Sequence, residues 1–499
     1  MTEPLVVIGG GIGGLCAAIR LQAAGYQVLL IERNQELGGK VREIRTGGYR
    51  WDAGPSILTM PSTFRHLFRS AGRNLDDYLT FTEVVPLARY FYSDGSQIDL
   101  HRDLETTLAS IGEVVPQDLR GYQDYLDYVS QLYRSVSPVF IYNDPPSLTR
   151  LLEISPMQAL RLDGLRTMQR AIDSFVRSTH LRQALGRFAT YVGASPFEAP
   201  ATLNVIGHVE LNRSVWYPEG GINRLAEALG VLARELGVEI RTGEPVDQIL
   251  LHDGSVTGVQ LVSGGRINAS CVLANADVRQ VYETLLSEDR KAGSVRRKLA
   301  RESLSSSAFI LLLGVKKQHP TLVHHNIFFS PDYQSEFEQI FKQKVPPSDP
   351  TIYIAITSKE TASDAPPGSE NWYVMVNVPA VSQEWDWDQQ KESYKESVIT
   401  SLANRGYDLT RLIDQEQVIT PLDLAQQNGA WAGAIYGGSS NDRWAAFRRP
   451  HNRARFPKGL YIVGGTVHPG GGMPMAALSG EVASRMVMAD FSAEQISVP

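Results

Sequence analysis

Between Leu5 and Glu32 the chain reads LVVIGGGIGGLCAAIRLQAAGYQVLLIE, and no other stretch narrows the fold so far. Val6, Val7 and Ile8 run into a glycine cluster, helical spacing follows over Leu15 to Leu21, and a second apolar run, Val28 to Ile31, ends on Glu32. That order predicts strand, tight turn, helix, strand. Gly9 makes the turn, Gly11 lets backbone approach a diphosphate with no Cβ in the way, Gly13 belongs to the same cluster, and Gly14 lets the helix pack closely on the strand. The helix N-terminus offers unpaired N–H groups and a partial positive charge to phosphate. Glu32, at the tip of the second strand, is placed to accept hydrogen bonds from a ribose diol. A G-x-G-x-x-G alone is a weak signal, but the strand before it, the helix after it and the acid at the right distance make this a dinucleotide site.

A chain of 499 residues has room for about three domain-sized units. Its formal net charge of −6 argues against a nucleic-acid footprint, which needs clustered excess Lys and Arg. Cys16 falls in the first helix and Cys271 in an expected strand, both among apolar neighbours, so they read as buried small hydrophobes in a reducing, cytoplasmic compartment. The N-terminus runs directly into the first strand, leaving no space for a cleavable leader. No apolar run approaches the roughly 20 residues that cross a bilayer, so any membrane association is peripheral.

Beyond Glu32, the Gly38-Gly39-Lys40 turn brings backbone and a cation towards the diphosphate, and Gly54-Pro55 makes a rigid bend after a short hairpin. Two such turns so soon after the acid favour a flavin over a nicotinamide. A short helix is expected over Phe64 to Leu79, and strands over Val84 to Leu100 around Asp94-Gly95. Leu104 to Leu185 has helical spacing broken at Pro138, Pro145-Pro146 and Pro156. Within it, apolar residues mix with Arg150, Arg161 and Arg166, a pattern that suits either helical packing in a cap or contact with an anionic membrane surface. Val238 to Cys271 reads as a β-meander turning at Asp253-Gly254 and Gly264-Gly265. Leu299 to Val378 supplies strands for a large sheet, and Gln389 to Arg405 a helix. Near the end, Leu460 to Val463 runs into Gly464-Gly465, a glycine-proline loop and a helix starting near Met475, a second helix N-terminus aimed at the cofactor. No second G-x-G-x-x-G is present to house a separate nicotinamide, so electrons must leave for an external acceptor.

The segments GGGIGG, ERNQELGGK, DAGPS, YPEGGINRLAEAL, the 238–277 meander and VGGTVHPGGGMPMAALSG together resemble the phytoene desaturase family of bacterial FAD-dependent carotenoid desaturases and oxygenases, within the amine-oxidase superfamily. The resemblance implies an α/β fold: a Rossmann-type FAD-binding domain (1–80, 215–285 and 450–492), a mixed-sheet substrate domain (81–103 and 286–449) and a helical cap (104–214), the candidate region for membrane contact. It also implies FAD as cofactor, with the backbone at Val246 meeting the adenine. The expected reaction is desaturation, removing a hydride and a proton from adjacent carbons of a long polyene, with quinone or oxygen as acceptor. Isomerisation and terminal-methyl oxygenation use the same fold. A soluble amine oxidase and a non-enzymatic isoprenoid escort protein are rival readings.

The candidate cofactor residues are therefore Gly9, Gly11, Gly13, Gly14, Glu32, Arg33, Gly39, Lys40, Gly54, Pro55, Val246, Gly465 and Met475. Arg33 and Lys40 either pair with phosphates or face solvent. His468, between Gly465 and Pro469, is a candidate acid or base or a group that orients its loop by a hydrogen bond. Glu219 and Asp52 are alternative proton acceptors. Arg448, Arg449, Arg453 and Arg455 read as a solvated basic loop. No Cys/His spacing suits a metal, and no nucleophile signature appears.

Overall fold

The computed structural model describes residues 3–145 and 162–491. Its first layer is a parallel five-stranded sheet in the order Leu460–Ile462, Val272–Ala274, Leu5–Ile8, Val28–Glu32, Glu239–Thr242. The first four of these are buried along their whole length. Helices Ile12–Ala23 and Asn223–Glu235 pack on one face and the meander of residues 246–268 on the other, so both faces are buried, which is why these strands read as unbroken apolar runs rather than alternating ones. The strand order reverses at Leu5–Ile8, and a ligand crevice opens at the carboxyl ends of strands at such a switch point.

Glu239–Thr242 corrects the sequence reading. It is not the first strand of the meander but the parallel partner of Val28–Glu32, with Thr242 beside Glu32. Four residues of half-buried strand look alike in an edge position and in a hairpin, so periodicity could not separate them. The meander proper is Val246–His252, Ser255–Leu261 and Arg266–Asn268, turning at Asp253-Gly254 and Gly264-Gly265.

Helices Ile12–Ala23 and Met473–Asp490 lie against each other. The approach is so close that a Cβ on Gly480 would sit 2.6 Å from the Gly13 carbonyl oxygen. Two segments far apart in sequence are thereby fixed side by side at the same end of the sheet.

The second layer is a mixed seven-stranded sheet: Ile413–Ile419, Ser307–Val315, Glu370–Val378, Ile352–Ile356, His325–Phe328, Ala88–Phe91, Gln97–Leu100. Neighbours are antiparallel except His325–Phe328 beside Ala88–Phe91. One face carries Phe309, Leu311, Leu313, Trp372 and Val374 against Trp387, Tyr394, Val398 and Leu402 of helix Trp387–Asn404. The other presents a cross-strand row, Ile310–Met375–Tyr353–Ile327, set by the register.

Helices Leu104–Val114, Leu119–Phe140, Thr179–Gly186 and Val205–Leu211 form a third group. Pro138 does not break its helix as expected: the helix continues to Phe140. Proline in the last turn removes one donor and leaves the preceding turns intact. Of the basic-apolar segment, Arg150 and Arg161 lie outside the described residues, whereas Arg166 is paired with Asp163 at 2.6 Å. Among the described residues no helix is long and apolar enough to cross a membrane.

Candidate functional site

The glycine turn after the first strand is held from three sides. Gly9 takes φ +94°, donates its N–H to the Ile31 carbonyl at 2.8 Å, and has no room for a side chain: a Cβ would meet the Asn275 carbonyl oxygen at 2.6 Å. Asn275, just past the end of Val272–Ala274, also donates from Nδ2 to the Gly9 carbonyl at 3.2 Å. The Gly38 N–H donates to the Gly10 carbonyl at 2.8 Å, and a Cβ on Gly39 would come 3.1 Å from Gly11 Cα, so the second glycine turn lies directly on the first. Gly11 caps helix Ile12–Ala23 with no side-chain partner, leaving the first-turn N–H groups facing open space.

Glu32 is buried and accepts from the N–H of Gly10 at 2.7 Å, and from the N–H and Nδ2 of Asn34 at 2.8 Å each. Charge-assisted bonds of this kind lock the carboxylate at the strand tip. Lys40 donates to the Ile435 carbonyl at 2.7 Å. Burial lowers the Lys40 ammonium's pKa and raises that of Asp277, and the attraction between the two charges opposes both shifts.

The second wall comes from the C-terminal segment. The Gly464 N–H donates to Ser479 Oγ at 3.0 Å, fixing the loop on its own following helix. Gly472 caps helix Met473–Asp490, again with no side-chain partner. The Tyr436 ring packs against both Gly471 and Gly193. Arg449 corrects its assignment to a solvated loop: it is half-buried and donates from Nη1 to the Gly465 carbonyl at 3.0 Å, with burial pushing its pKa down to about 10.

One cavity of about 530 Å³ joins these parts, from Gly11, Glu32 and Val246 past Gly465 and Tyr436 to Ile310, Met375, Tyr353 and Ile327 on the large sheet. Two uncapped helix N-termini thus face a single space whose far side is apolar and aromatic.

The model of the family described as flavin containing amine oxidoreductase matches residues 12–488. The chain belongs to that family. It is 38% identical over 491 residues, 96% of this chain and 97% of the relative, to a 4,4'-diaponeurosporene oxygenase of Staphylococcus aureus (strain USA300). Among solved structures it resembles an oxidoreductase from Methanosarcina mazei (TM-score 0.62, 18% identity, 96% of this chain and 99% of that one). It also resembles the cyclohexylamine oxidase of Brevibacterium oxydans IH-35A (TM-score 0.58, 16% identity, 98% of this chain and 99% of that one). At these identities the structures speak for the fold.

The flavin-containing amine oxidoreductases use FAD, and FAD is the cofactor here. The residues fit it: a cradle in which Cβ atoms at Gly9 and Gly11 would strike Asn275, a buried acid at the strand tip, and two helix N-termini with free donors. Of the residues singled out in the sequence, Gly9, Gly11, Gly13, Glu32, Arg33, Gly39, Lys40, Gly54, Pro55, Val246 and Gly465 line the cavity. Gly14 lies behind the wall, where a Cβ would be 2.1 Å from the Gly9 carbonyl oxygen. Met475 is a correction: Met473, Pro474 and Ala476 line the cavity, while the Met475 side chain packs towards Leu132, Tyr133 and Val136 of the helical group. A residue's direction on the first turn depends on where the helix starts, two residues earlier than its spacing implied.

The two catalytic candidates are also corrected. Glu219 is exposed and outside the cavity lining. His468 is buried behind the loop, and its Nε2–H donates to the Asn143 carbonyl at 2.8 Å. Burial pushes its pKa down to about 4, so it orients the loop as a neutral ring. Asp52 is tied up at 2.6 Å with Arg50 and accepts from Tyr217 and the Ile222 N–H. Asn275, Tyr436 and Arg187 line the cavity without having been singled out. Asn275 carried one signal, a polar residue ending an apolar strand as Glu32 does; Tyr436 sits beside the Gly437-Gly438 pair of the GAIYGGSSNDRWAAF segment, and Arg187 lies in a stretch with no motif.

Proposed function

We propose that this chain is an FAD-dependent oxidoreductase acting on a long-chain carotenoid, and that it oxidises the end of the polyene brought to the glycine-lined part of the cavity. The observation that carries this reading is the continuity of the cradle with the row Ile310–Met375–Tyr353–Ile327. A polyene offers almost nothing to hydrogen-bond and is held by burial, at about 25 cal/mol per Å² removed from water. The named activity of the 38% identical relative supports the same substrate class.

In this reading residues 1–80, 215–285 and 450–492 form the FAD-binding unit, and 81–103 with 286–449 the substrate unit. The N–H groups of the Ile12 and Met473 helices take the diphosphate and the pyrimidine edge of the ring, Glu32 takes the ribose, and Val246 the adenine. Bound FAD supplies a two-electron acceptor. The chain's own contribution is to orient the polyene across the sheet row and to exclude water around it. Electrons pass to an external quinone or oxygen, and the substrate is drawn from a membrane surface on which the protein rests.

Terminal-methyl oxygenation is favoured over desaturation because the relative carries the oxygenase name. Pigments from a host supplied with defined acyclic precursors decide between them by mass. Gain of oxygen supports oxygenation, and loss of hydrogen with a longer absorption wavelength supports desaturation. Flavin-loaded protein that changes no carotenoid overturns both.

A further inference from the structure

A cavity that excludes water while carbon is oxidised inside it must still release protons. Each two-electron oxidation takes a hydride from the polyene and leaves a cation spread along it. That cation sheds one proton, from the neighbouring carbon in desaturation or from the water that adds to it in oxygenation. Such a cation is a strong acid, so weakly basic groups suffice to carry the proton away, provided they run from the cavity to solvent.

A row of this kind leaves the cavity at Tyr353. Its hydroxyl is 2.7 Å from Ser56 Oγ, and both residues line the cavity. Ser56 follows Gly54-Pro55 in the turn at the cofactor end, so this bond joins the two ends. The Tyr353 hydroxyl also lies 2.8 Å from His325 Nδ1. The register sets Tyr353 opposite Ile327, which makes His325 its diagonal neighbour on the same face of the sheet. His325 is buried, and its Nε2 has no hydrogen-bond partner among the described residues. Its ring centroid is 4.2 Å from that of His324, whose two nitrogens are equally without partners there. His324 Nδ1 is 3.9 Å from Glu360 Oε1, and the Glu360 side chain is 28% exposed.

Buried polar atoms are normally hydrogen-bonded, and three bare nitrogens in two adjacent rings destabilise the fold. Two phenylalanine rings would fill similar space without that cost, so packing does not explain the pair. Burial keeps both rings neutral, pushing His324 down to about 3 and His325 well below its ordinary value. A neutral imidazole has one donor and one acceptor nitrogen, and a hydroxyl both donates and accepts. Each group therefore takes a proton on one side as it gives one up on the other, and none of them stores it.

We propose that Ser56, Tyr353, His325, His324 and Glu360 form a proton exit from the cavity to solvent. The freed proton bonds to Ser56 Oγ as the serine's own proton moves to the Tyr353 oxygen and the tyrosine's to His325 Nδ1. The proton on His325 Nε2 then crosses to His324, a step that takes a turn of one ring, and passes by way of Glu360 to water. No electrons move along the row, and every group ends with as many protons as it began with. The proposal rests on the carotenoid reading above and adds to it the residues that remove the proton.

The test uses the FAD-loaded protein and an acyclic hydrocarbon carotenoid in detergent micelles, without oxygen, and follows flavin reduction by absorbance in light and heavy water. Hydride loss is reversible until the proton has gone, so the rate reports the exit. The wild type should be slower in heavy water, with a curved dependence on deuterium fraction because several protons move together. Tyr353→Phe keeps the ring and breaks the row. It should slow reduction about 100-fold and leave carotenoid affinity and flavin retention unchanged. Glu360→Gln changes a partly exposed side chain, so the fold is not at stake. It should slow reduction several-fold, and added imidazole buffer, which carries protons from the row to water, should restore the rate. A rate untouched by Tyr353→Phe, or a loss in Glu360→Gln that buffer does not restore, overturns the exit. So does a Tyr353→Phe protein that loses affinity but keeps the wild-type isotope effect, which makes Tyr353 a packing residue. Wild-type flavin that the carotenoid does not reduce overturns the carotenoid reading itself.

Discussion

The two ends of the cavity are built by different means. The cofactor end is backbone: glycine turns locked by main-chain bonds, two uncapped helix N-termini, and one buried acid bonded to the N–H groups of Gly10 and Asn34. The sheet end is side chains, contributed by strands that meet only through register, with Arg187 and its partners beyond them. Phosphates and sugar need donors and acceptors at fixed positions, which a turn of few residues supplies. A flexible hydrocarbon needs area and shape, which only packed side chains from many segments supply.

If this division is real, changes at one end should leave the other's ligand unaffected. The largest effect is expected from Gly11→Val, whose Cβ starts 2.8 Å from Asn275 Nδ2 and whose branches fill the cradle. The purified variant should carry no flavin by absorbance while keeping the wild-type circular dichroism. Glu32→Ala leaves the buried N–H of Gly10 and the N–H of Asn34 without their carboxylate acceptor. It should weaken FAD retention by about 10- to 100-fold, measured as the dissociation constant of reconstituted apoprotein.

At the other end, Met375→Ala removes a half-buried side chain from the centre of the row. Polyene affinity should fall several-fold, about 1 kcal/mol, with FAD retention unchanged. A parallel loss of FAD would merge the two ends into one unit and break the comparison. The smallest effect concerns Glu336. Its folded pKa of about 7 stands above the 4.5 of an unperturbed carboxyl, so between those values the folded state keeps a proton that the unfolded chain has lost. Stability from this group is therefore complete below pH 4.5 and declines as pH rises towards 7. Glu336→Gln fixes the neutral form and should flatten that decline, raising Tm by a few degrees at pH 8 relative to the wild type. An unchanged pH profile would place the titration elsewhere.

The same division explains what could be read in advance. Gly9, Gly11, Glu32, Gly39 and Gly465 were visible because a phosphate-binding turn is local, with each requirement met by a residue type at a short, fixed spacing. Glu219 was misjudged, and His468 takes the second of its two expected roles, orienting its loop, because an acid or base next to a motif in sequence need not point where the motif points. The histidine is turned inward onto Asn143 and the glutamate outward to solvent. Glu239–Thr242 was misplaced because a four-residue strand does not encode its neighbour.

The sequence by itself determined the dinucleotide turn with its two strands and helix, since short-range sterics and hydrophobic pattern fix those within some thirty residues, and its motifs spread from Gly9 to Gly480 carried the family resemblance. Only the tertiary structure decided that Ile310, Met375, Tyr353 and Ile327 share a face and that Arg187, held by Glu210, Tyr90 and Tyr191, lies at the same end of the cavity. Those facts depend on strand register and long-range packing, whose free energy is spread over contacts between distant segments and leaves no mark in any one of them.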